Sequence, residues 1–244
     1  MKIALLGYGK MGKMIEEIIL REKTHEVNLK VNSKNRKDLS PSSLKNSDVA
    51  IDFSLPKSAE ENIALCLDAG IPLVIGTTGW YNELEKIKLW CSEKNGSIIY
   101  ASNFSIGVNI FFELNKRLAA LMKNKKEYEP CITEIHHTQK KDSPSGTAIS
   151  LAKDILQSSA TKKHWVNREN ALSDELVILS RREGTFVGTH QVEFRSNVDR
   201  IEITHEAFSR EGFAQGAIAA AEWIHNKKCF FEFREISLSD TVNK

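Results

Sequence analysis

Apolar residues along this chain follow two rhythms. Residues 2–6, Lys-Ile-Ala-Leu-Leu, form a short apolar run that reads as a buried strand, and Met14, Ile15, Ile18 and Ile19 then recur at helical spacing. Further strands are expected at 26–31, 48–53, 72–75 and 97–104, with helices at 58–69 and 81–94 between them. Strands alternating with helices predict an α/β unit, a Rossmann-type doubly wound parallel sheet that takes its ligands at the carboxyl ends of the strands.

After Phe104 the rhythm changes. A helix is expected at 108–122 and a strand at 131–137. Ser143-Pro144 then reads as a helix start, because proline suits the first helical position and serine can cap the amides before it. Ala148, Leu151, Ala152 and Ile155 continue that helix to about residue 160. Residues 185–194 and 200–205 alternate apolar with polar, as strands of an open mixed or antiparallel sheet with one covered face do. His190 and His205 fall on the apolar side, the position of a core or interface histidine. A helix at 213–225 closes the pattern. The chain is therefore expected to hold a dinucleotide-binding domain, 1–106 with 210–244, and an α+β substrate-binding and oligomerisation domain, 107–209. Two crossings between them, near Ile106 and Ser209, would form a hinge.

Composition narrows the class. The chain has 244 residues, 41% hydrophobic and 27% charged, with a formal net charge of +2. That balance carries no overall signal for nucleic acid, and no apolar run is long enough to span a bilayer. The chain enters its first strand directly, with no leader pattern. Cys66, Cys91, Cys131 and Cys229 are far apart and make no metal-like pair. They read as reduced, mostly buried thiols of a cytoplasmic protein, and no metal is expected.

Candidate chemistry lies in two places. Gly7-Tyr8-Gly9-Lys10-Met11-Gly12 is a G-x-G-x-x-G sequence between a strand and a helix, the context a dinucleotide site requires. Gly7 permits the turn, Gly9 lets the backbone approach a pyrophosphate, and Gly12 lets the helix pack on the strand. After the second strand, where an acid would bind a ribose, stand Asn32-Ser33-Lys34-Asn35-Arg36. With two cations and no acid, NADPH is expected to be preferred over NADH, Lys34 or Arg36 meeting the 2′-phosphate; the alternative is a solvated basic loop. Gly76-Thr77-Thr78-Gly79 and Ala101-Ser102-Asn103-Phe104 end strands with small residues and an amide that suit a nicotinamide ring, although either could be a turn.

The second place is Glu134-Ile-His-His-Thr-Gln-Lys-Lys-Asp-Ser-Pro-Ser-Gly-Thr-Ala148. A histidine pair and a lysine pair precede a helix start. The backbone amides of Ser145, Gly146 and Thr147 are expected to point outward there and attract a carboxylate or phosphate. The order reads as a site that grips a small acid and gives it a proton.

With these residues in view, the chain resembles the 4-hydroxy-tetrahydrodipicolinate reductase (dihydrodipicolinate reductase) family over nearly its whole length. The resemblance rests on residues 7–12, Asp52-Phe53-Ser54, 76–79, 101–109, 134–148 and Ile203-Thr-His-Glu-Ala207 with Ser209-Arg210. It implies hydride transfer from NADPH or NADH to a cyclic dicarboxylic imine after loss of water, in diaminopimelate and lysine biosynthesis. It further implies His136 as proton donor, His137 as a substrate contact, and Lys140 as proton donor and carboxylate partner. The Ser145, Gly146 and Thr147 amides would hold a substrate carboxylate, with Thr78 also near the substrate. Lys141 falls outside the family's catalytic positions. The implied cofactor set is Gly7, Tyr8, Gly9, Lys10, Met11, Gly12, Ser33, Lys34, Arg36, Phe53, Gly76, Thr77, Thr78, Ala101, Ser102, Asn103, Phe104 and Arg210, in a homotetramer. An imidazole with an ordinary pKa of about 6.5 suits general acid work near neutrality. Three competing readings are another two-domain Rossmann dehydrogenase, a family member with altered substrate, and a non-enzymatic NADPH-binding module. The last would be expected to lack His136 or Lys140, and both are present.

Overall fold

The computed structural model describes residues 1–236. In chain order the elements are β1 (Lys2–Leu6), α1 (Lys10–Glu22), β2 (Glu26–Val31), α2 (Pro41–Leu44), β3 (Val49–Asp52), α3 (Pro56–Ala69), β4 (Leu73–Ile75), α4 (Leu84–Glu93), β5 (Ser97–Tyr100), α5 (Ile106–Met122), β6 (Glu129–His136), α6 (Gly146–Ser158), β7 (His164–Val166), β8 (Glu175–Arg182), β9 (Gly188–Arg195), β10 (Arg200–Ala207), α7 (Glu211–Ile224), β11 (Cys229–Glu232) and α8 (Phe233–Ile236). The described residues fall into two compact units, one of Met1–Ile106 with Glu211–Ile236, the other of Gly107–Arg210.

The first unit is built on a parallel sheet in the order β11-β5-β4-β3-β1-β2. Its inner strands β5, β4, β3 and β1 are apolar on both faces, and successive side chains point to opposite sides. Ile3, Leu5, Ile51, Val74 and Ile99 pack with α1 and α7 on one side. Ala4, Leu6, Ala50, Leu73, Ile75 and Ile98 pack with α3 and α4 on the other. Each fully buried isoleucine or leucine contributes about 1.5–3 kcal/mol, so the doubly wound arrangement follows from strands with no polar face to spare. Strand order reverses between β1 and β3, which puts the ligand crevice of such a sheet at their carboxyl ends.

The second unit carries a mixed sheet in the order β10-β9-β6-β8-β7. β6 runs parallel to β8 and antiparallel to β9. Its core gathers Ile132, Ile178, Val192 and Phe194 from the strands, Leu151, Ala152 and Ile155 from α6, and Phe111 and Phe112 from α5. The sheet is mixed because β7 and β8 pair in parallel, whereas the strands expected at 185–194 and 200–205 belong to the antiparallel part formed by β9 and β10.

Local differences from the sequence expectation have identifiable causes. The second-unit helix starts at Gly146 and not at Pro144, because Ser145 is its N-cap: extended at φ −66° and ψ 153°, it accepts a hydrogen bond on its side chain from the Ala148 N–H. Ser143 instead accepts on its hydroxyl from the Asn167 amide at 3.0 Å. The strand placed at 185–194 begins only at Gly188. The Phe186 carbonyl is taken by the His137 N–H at 2.8 Å, which holds that stretch as a loop. β7, β11, α2 and α8, of three or four residues each, were not anticipated, nor was the eight-residue β8.

Candidate active site

In the first unit the glycine sequence sits at the carboxyl end of β1. Gly7 has φ +92°, in the left-handed region, and a Cβ there would overlap the backbone of Phe53 and Ser54. Gly7 and Tyr8 both donate to the Val31 carbonyl, at 3.0 and 2.7 Å. α1 then opens at Lys10, so the amides of Lys10, Met11 and Gly12 form its first turn, the part of a helix that attracts a pyrophosphate. No side chain need be displaced at Gly9, where an added Cβ would meet nothing within 4 Å. The turn thus fits a dinucleotide.

The other candidates of this unit collect along the same edge. Phe53 follows β3, and its ring lies edge-on to Phe104 at 6.1 Å and fills the space where a Cβ on Gly76 would stand. Thr77 is buried. Its hydroxyl donates to the Asp52 carboxylate at 2.8 Å and accepts from the Ser54 N–H at 2.8 Å, so it braces the loop and does not face outward. Asp52 is fully buried and also accepts from Asn62 and from the Ser54 N–H. Burial pushes its carboxyl up, against the pull of these hydrogen bonds. Thr78 and Ser102 are exposed, Ala101 is buried, and Asn103 accepts from the Ser105 N–H at 2.9 Å. Ser33 and Lys34 are exposed in a turn closed by Asn32 and Asn35. Arg36 is paired with Glu61 at 2.6 Å. The Tyr8 hydroxyl donates to Glu16, which also pairs with Lys30. Arg210 lies in the second unit, its guanidinium 3.3 Å from Nε2 of His137.

In the second unit the covered face of the sheet turns polar at one end. Along β6 the buried positions are Pro130, Ile132, Glu134 and His136. Along β9 they are Gly188, His190, Val192 and Phe194. Glu134 is directly opposite His190, and His136 lies beside Arg182 of β8. Glu134 is fully buried and forms the hub. One oxygen accepts from Arg182 at 2.8 Å and from the Ser145 N–H at 3.3 Å, and the other bonds Nδ1 of His136. Burial alone would raise its pKa, but the hydrogen bonds from His136 and Arg182 prevail and hold the carboxyl down at about 2. His190 is buried 5.0 Å from the His136 ring, with Nε2 3.0 Å from the Ser145 hydroxyl. Burial, reinforced by His136, pushes its pKa down to about 3, so it is neutral near pH 7. A Cβ on Gly188 would stand 3.0 Å from Nε2 of His136, so the missing side chain leaves room for that ring.

The outward-pointing amides are fewer than the sequence led one to expect. The Ser145 N–H is committed to Glu134, which leaves Gly146 and Thr147 as the amides that open α6. Lys140 holds both oxygens of Asp142 at 2.8 Å. The donor atoms of Glu134, His136 and His190 lie within 4.8 Å of one another, close enough to gather a metal ion. Both carboxylate oxygens already accept hydrogen bonds, however, and a guanidinium adjoins them, so the cluster is suited to holding protons. Arg182 and His190 were missed as members of the site, and Glu134 had no role in it. The signal for Glu134 was present: residues two apart on a strand share a face, and Glu134 is two before His136.

The dinucleotide turn at the strand-order reversal and an imidazole backed by a buried carboxylate mark a nicotinamide-dependent oxidoreductase of the Rossmann type. Comparison with known proteins is more specific. Residues 1–104 match the family described as Dihydrodipicolinate reductase, N-terminus, and residues 107–236 match Dihydrodipicolinate reductase, C-terminus. The chain belongs to the dihydrodipicolinate reductase family. It is 47% identical over 241 residues to the 4-hydroxy-tetrahydrodipicolinate reductase of Christiangramia forsetii, covering 98% of each chain. It is 40% identical over 190 residues to that of Methanopyrus kandleri, covering 75% of this chain and 68% of the relative. Among solved structures, dihydrodipicolinate reductase from Paenisporosarcina sp. TG-14 with dipicolinate bound is similar at a TM-score of 0.76 and 24% identity, over 96% of this chain and 98% of that one. A dehydrogenase from Clostridium difficile shares the fold at a TM-score of 0.54 and 14% identity, over 99% and 98%.

Proposed function

We propose that this enzyme reduces 4-hydroxy-tetrahydrodipicolinate to tetrahydrodipicolinate, with His136 as the proton donor, in diaminopimelate and lysine biosynthesis. The observation that carries the assignment is the His136 imidazole, bonded through Nδ1 to an ionised, buried carboxylate beside the amides that open α6. When bound, the cofactor supplies a hydride. Overall, substrate, NAD(P)H and one proton give product, NAD(P)⁺ and water, with the substrate hydroxyl leaving as that water. The chain's own residues do the rest. His136 delivers the proton from Nε2, its Nδ1 being occupied. The Gly146 and Thr147 amides hold a carboxylate, and Lys140 exchanges Asp142 for the substrate's other carboxylate. His137, turned by Arg210, contacts the ring.

The unit of residues 1–106 with the chain from Glu211 on is the dinucleotide-binding domain, and the other binds substrate. Gly7 to Gly12, Phe53, Gly76 to Thr78 and Ala101 to Phe104 hold the cofactor. NADPH is the preferred form, with exposed Lys34 on the 2′-phosphate, since Arg36 is engaged by Glu61. Among the described residues no helix is long and apolar enough to cross a membrane, which accords with a cytoplasmic enzyme. The assembly is a homotetramer through the sheet of the second domain, testable by light scattering on the eluted protein. The deciding experiment is a coupled assay in which a dihydrodipicolinate synthase supplies the unstable substrate and reduced nicotinamide is followed with NADPH and NADH separately. Substrate-dependent oxidation, faster with NADPH, is expected. A folded, nucleotide-binding protein that oxidises neither would remove the assignment.

A further inference from the structure

The geometry points to Glu134 as the positioning residue of the proton donor and of the anion-binding helix start together. This rests on the assignment of His136 as the acid. One carboxylate oxygen holds Nδ1 of His136 and so fixes the ring with Nε2 as the atom that exchanges its proton. The other oxygen accepts the Ser145 N–H, which sets where α6 begins and hence where the Gly146 and Thr147 amides lie. A single carboxylate therefore holds donor and carboxylate cradle in one register.

The surroundings are built for this. Glu134 and His136 share a face of β6, so their spacing is set by the strand and not by a flexible loop. Arg182 spans from Glu134 Oε1 to the Asp142 carbonyl, at 2.8 and 2.6 Å, and its charge compensates a carboxylate that is wholly shielded from water. A buried carboxylate without such a partner would take up a proton and lose its pull on an imidazolium. Charged and titratable groups near His136 include Glu134 on its own strand, Arg182 on β8 and His190 on β9, and His190 is in turn influenced by His205 of β10 and by Lys140. Of these, Glu134 alone touches the Nδ1 edge. His190 reaches the network through the Ser145 hydroxyl, which also caps α6.

A role exercised through His136 makes a particular pattern of kinetics. Glu134→Gln keeps the shape and an acceptor oxygen but removes the charge. It should lower kcat about 10–100-fold, part of the ~10²–10⁴ that a general acid supplies, with the substrate KM within about threefold of wild type. In a His136→Ala background, the same change should cost less than about threefold more, because residues acting as a unit are not additive. Multiplicative losses in the double variant, or a raised KM with kcat unchanged, overturn the proposal and leave Glu134 a structural anchor. The wild-type protein gives a second test that needs no variant to fold. Long-range ¹H–¹⁵N NMR of the neutral His136 ring should show the proton on Nδ1, and a ring protonated on Nε2 instead overturns the proposal. The NMR result stands whether or not the coupled assay shows turnover, so failure here and failure of the reductase assignment are told apart.

Discussion

A side chain in this protein is as telling for what it is bound to as for what it is. His136 and His137 are sequence neighbours with different surroundings. One faces a buried carboxylate, the other an exposed guanidinium. His136→Ala should therefore lower kcat ~10²–10⁴-fold with a much smaller change in KM, and near-normal kcat on the natural substrate would mean the donor is another group. The pH dependence of stability carries its own signature. His190 binds a proton less readily when folded than when unfolded, with its pKa at about 3 against an ordinary 6.5. Its contribution is thus intact above about pH 6.5 and is lost as pH falls toward 3. Glu134, at about 2 against 4.5, has the same sign in a lower window, from about pH 4.5 down to 2. Denaturant titrations at a series of pH values should show wild-type stability falling below pH 6.5, and His190→Gln should flatten the part above pH 4.5. Parallel curves for the two proteins would contradict the depressed histidine.

At the scale of elements, α6 offers a clean substitution. Gly146 is its first residue, and a side chain there would meet nothing within 4 Å. Proline is tolerated at this position, and it asks of the preceding residue an extended backbone that Ser145 already has. Gly146→Pro should then remove one amide from the cradle and keep the helix. The expected result is a substrate KM raised about tenfold, the order of one charge-assisted hydrogen bond, with an unchanged melting temperature. An unaltered KM would place the carboxylate elsewhere. Gly188→Ala is the complementary test on β9. A methyl 3.0 Å from Nε2 of His136 asks that ring to give by a few tenths of an ångström, which should lower kcat by about two- to tenfold, less than the ~10²-fold of a 1 Å misplacement. Elements also mark how far the sequence could be read. The first five strands were legible because each is an apolar run between turn residues, as in residues 2–6 and 72–75. The start of α6 was misread at Pro144 because local rules favour a proline there. A tertiary bond from the Ser145 amide to Glu134, eleven residues away, holds residue 145 extended and moves the start. β7 and β11 are too short to show a period, and the second exists only by pairing along β5. The cluster of Glu134, Arg182 and His190 was hidden for the same reason: it forms only when three strands that are distant in sequence come into register.

For the whole molecule, two compact units with separate cores predict separable responses to ligand. Saturating NADPH at ~100 times its dissociation constant should stabilise what it binds by about 2.7 kcal/mol. Hydrogen exchange should slow chiefly at the carboxyl ends of β1, β3, β4 and β5 and in the first turn of α1, with little change along β6, β8 and β9. Equal protection across both sheets would argue against a cofactor held by the first unit. Lys34→Ala should raise the KM for NADPH about tenfold and leave that for NADH unaltered, measured in the coupled assay. Equal effects on both cofactors would return Lys34 to a solvated loop.

The first unit is assembled from both ends of the described chain. Ile3, Leu5, Ile51, Val74 and Ile99 are covered by α1 and by the run from Ala214 to Ile224. During synthesis, that run emerges only after the hundred or so residues from Gly107 to Arg210, roughly 5–20 s later at ordinary translation rates. For that interval a half-clad sheet, with one greasy side and the β5 edge bare, would hang from the ribosome. The nascent chain should therefore be a chaperone client until α7 arrives.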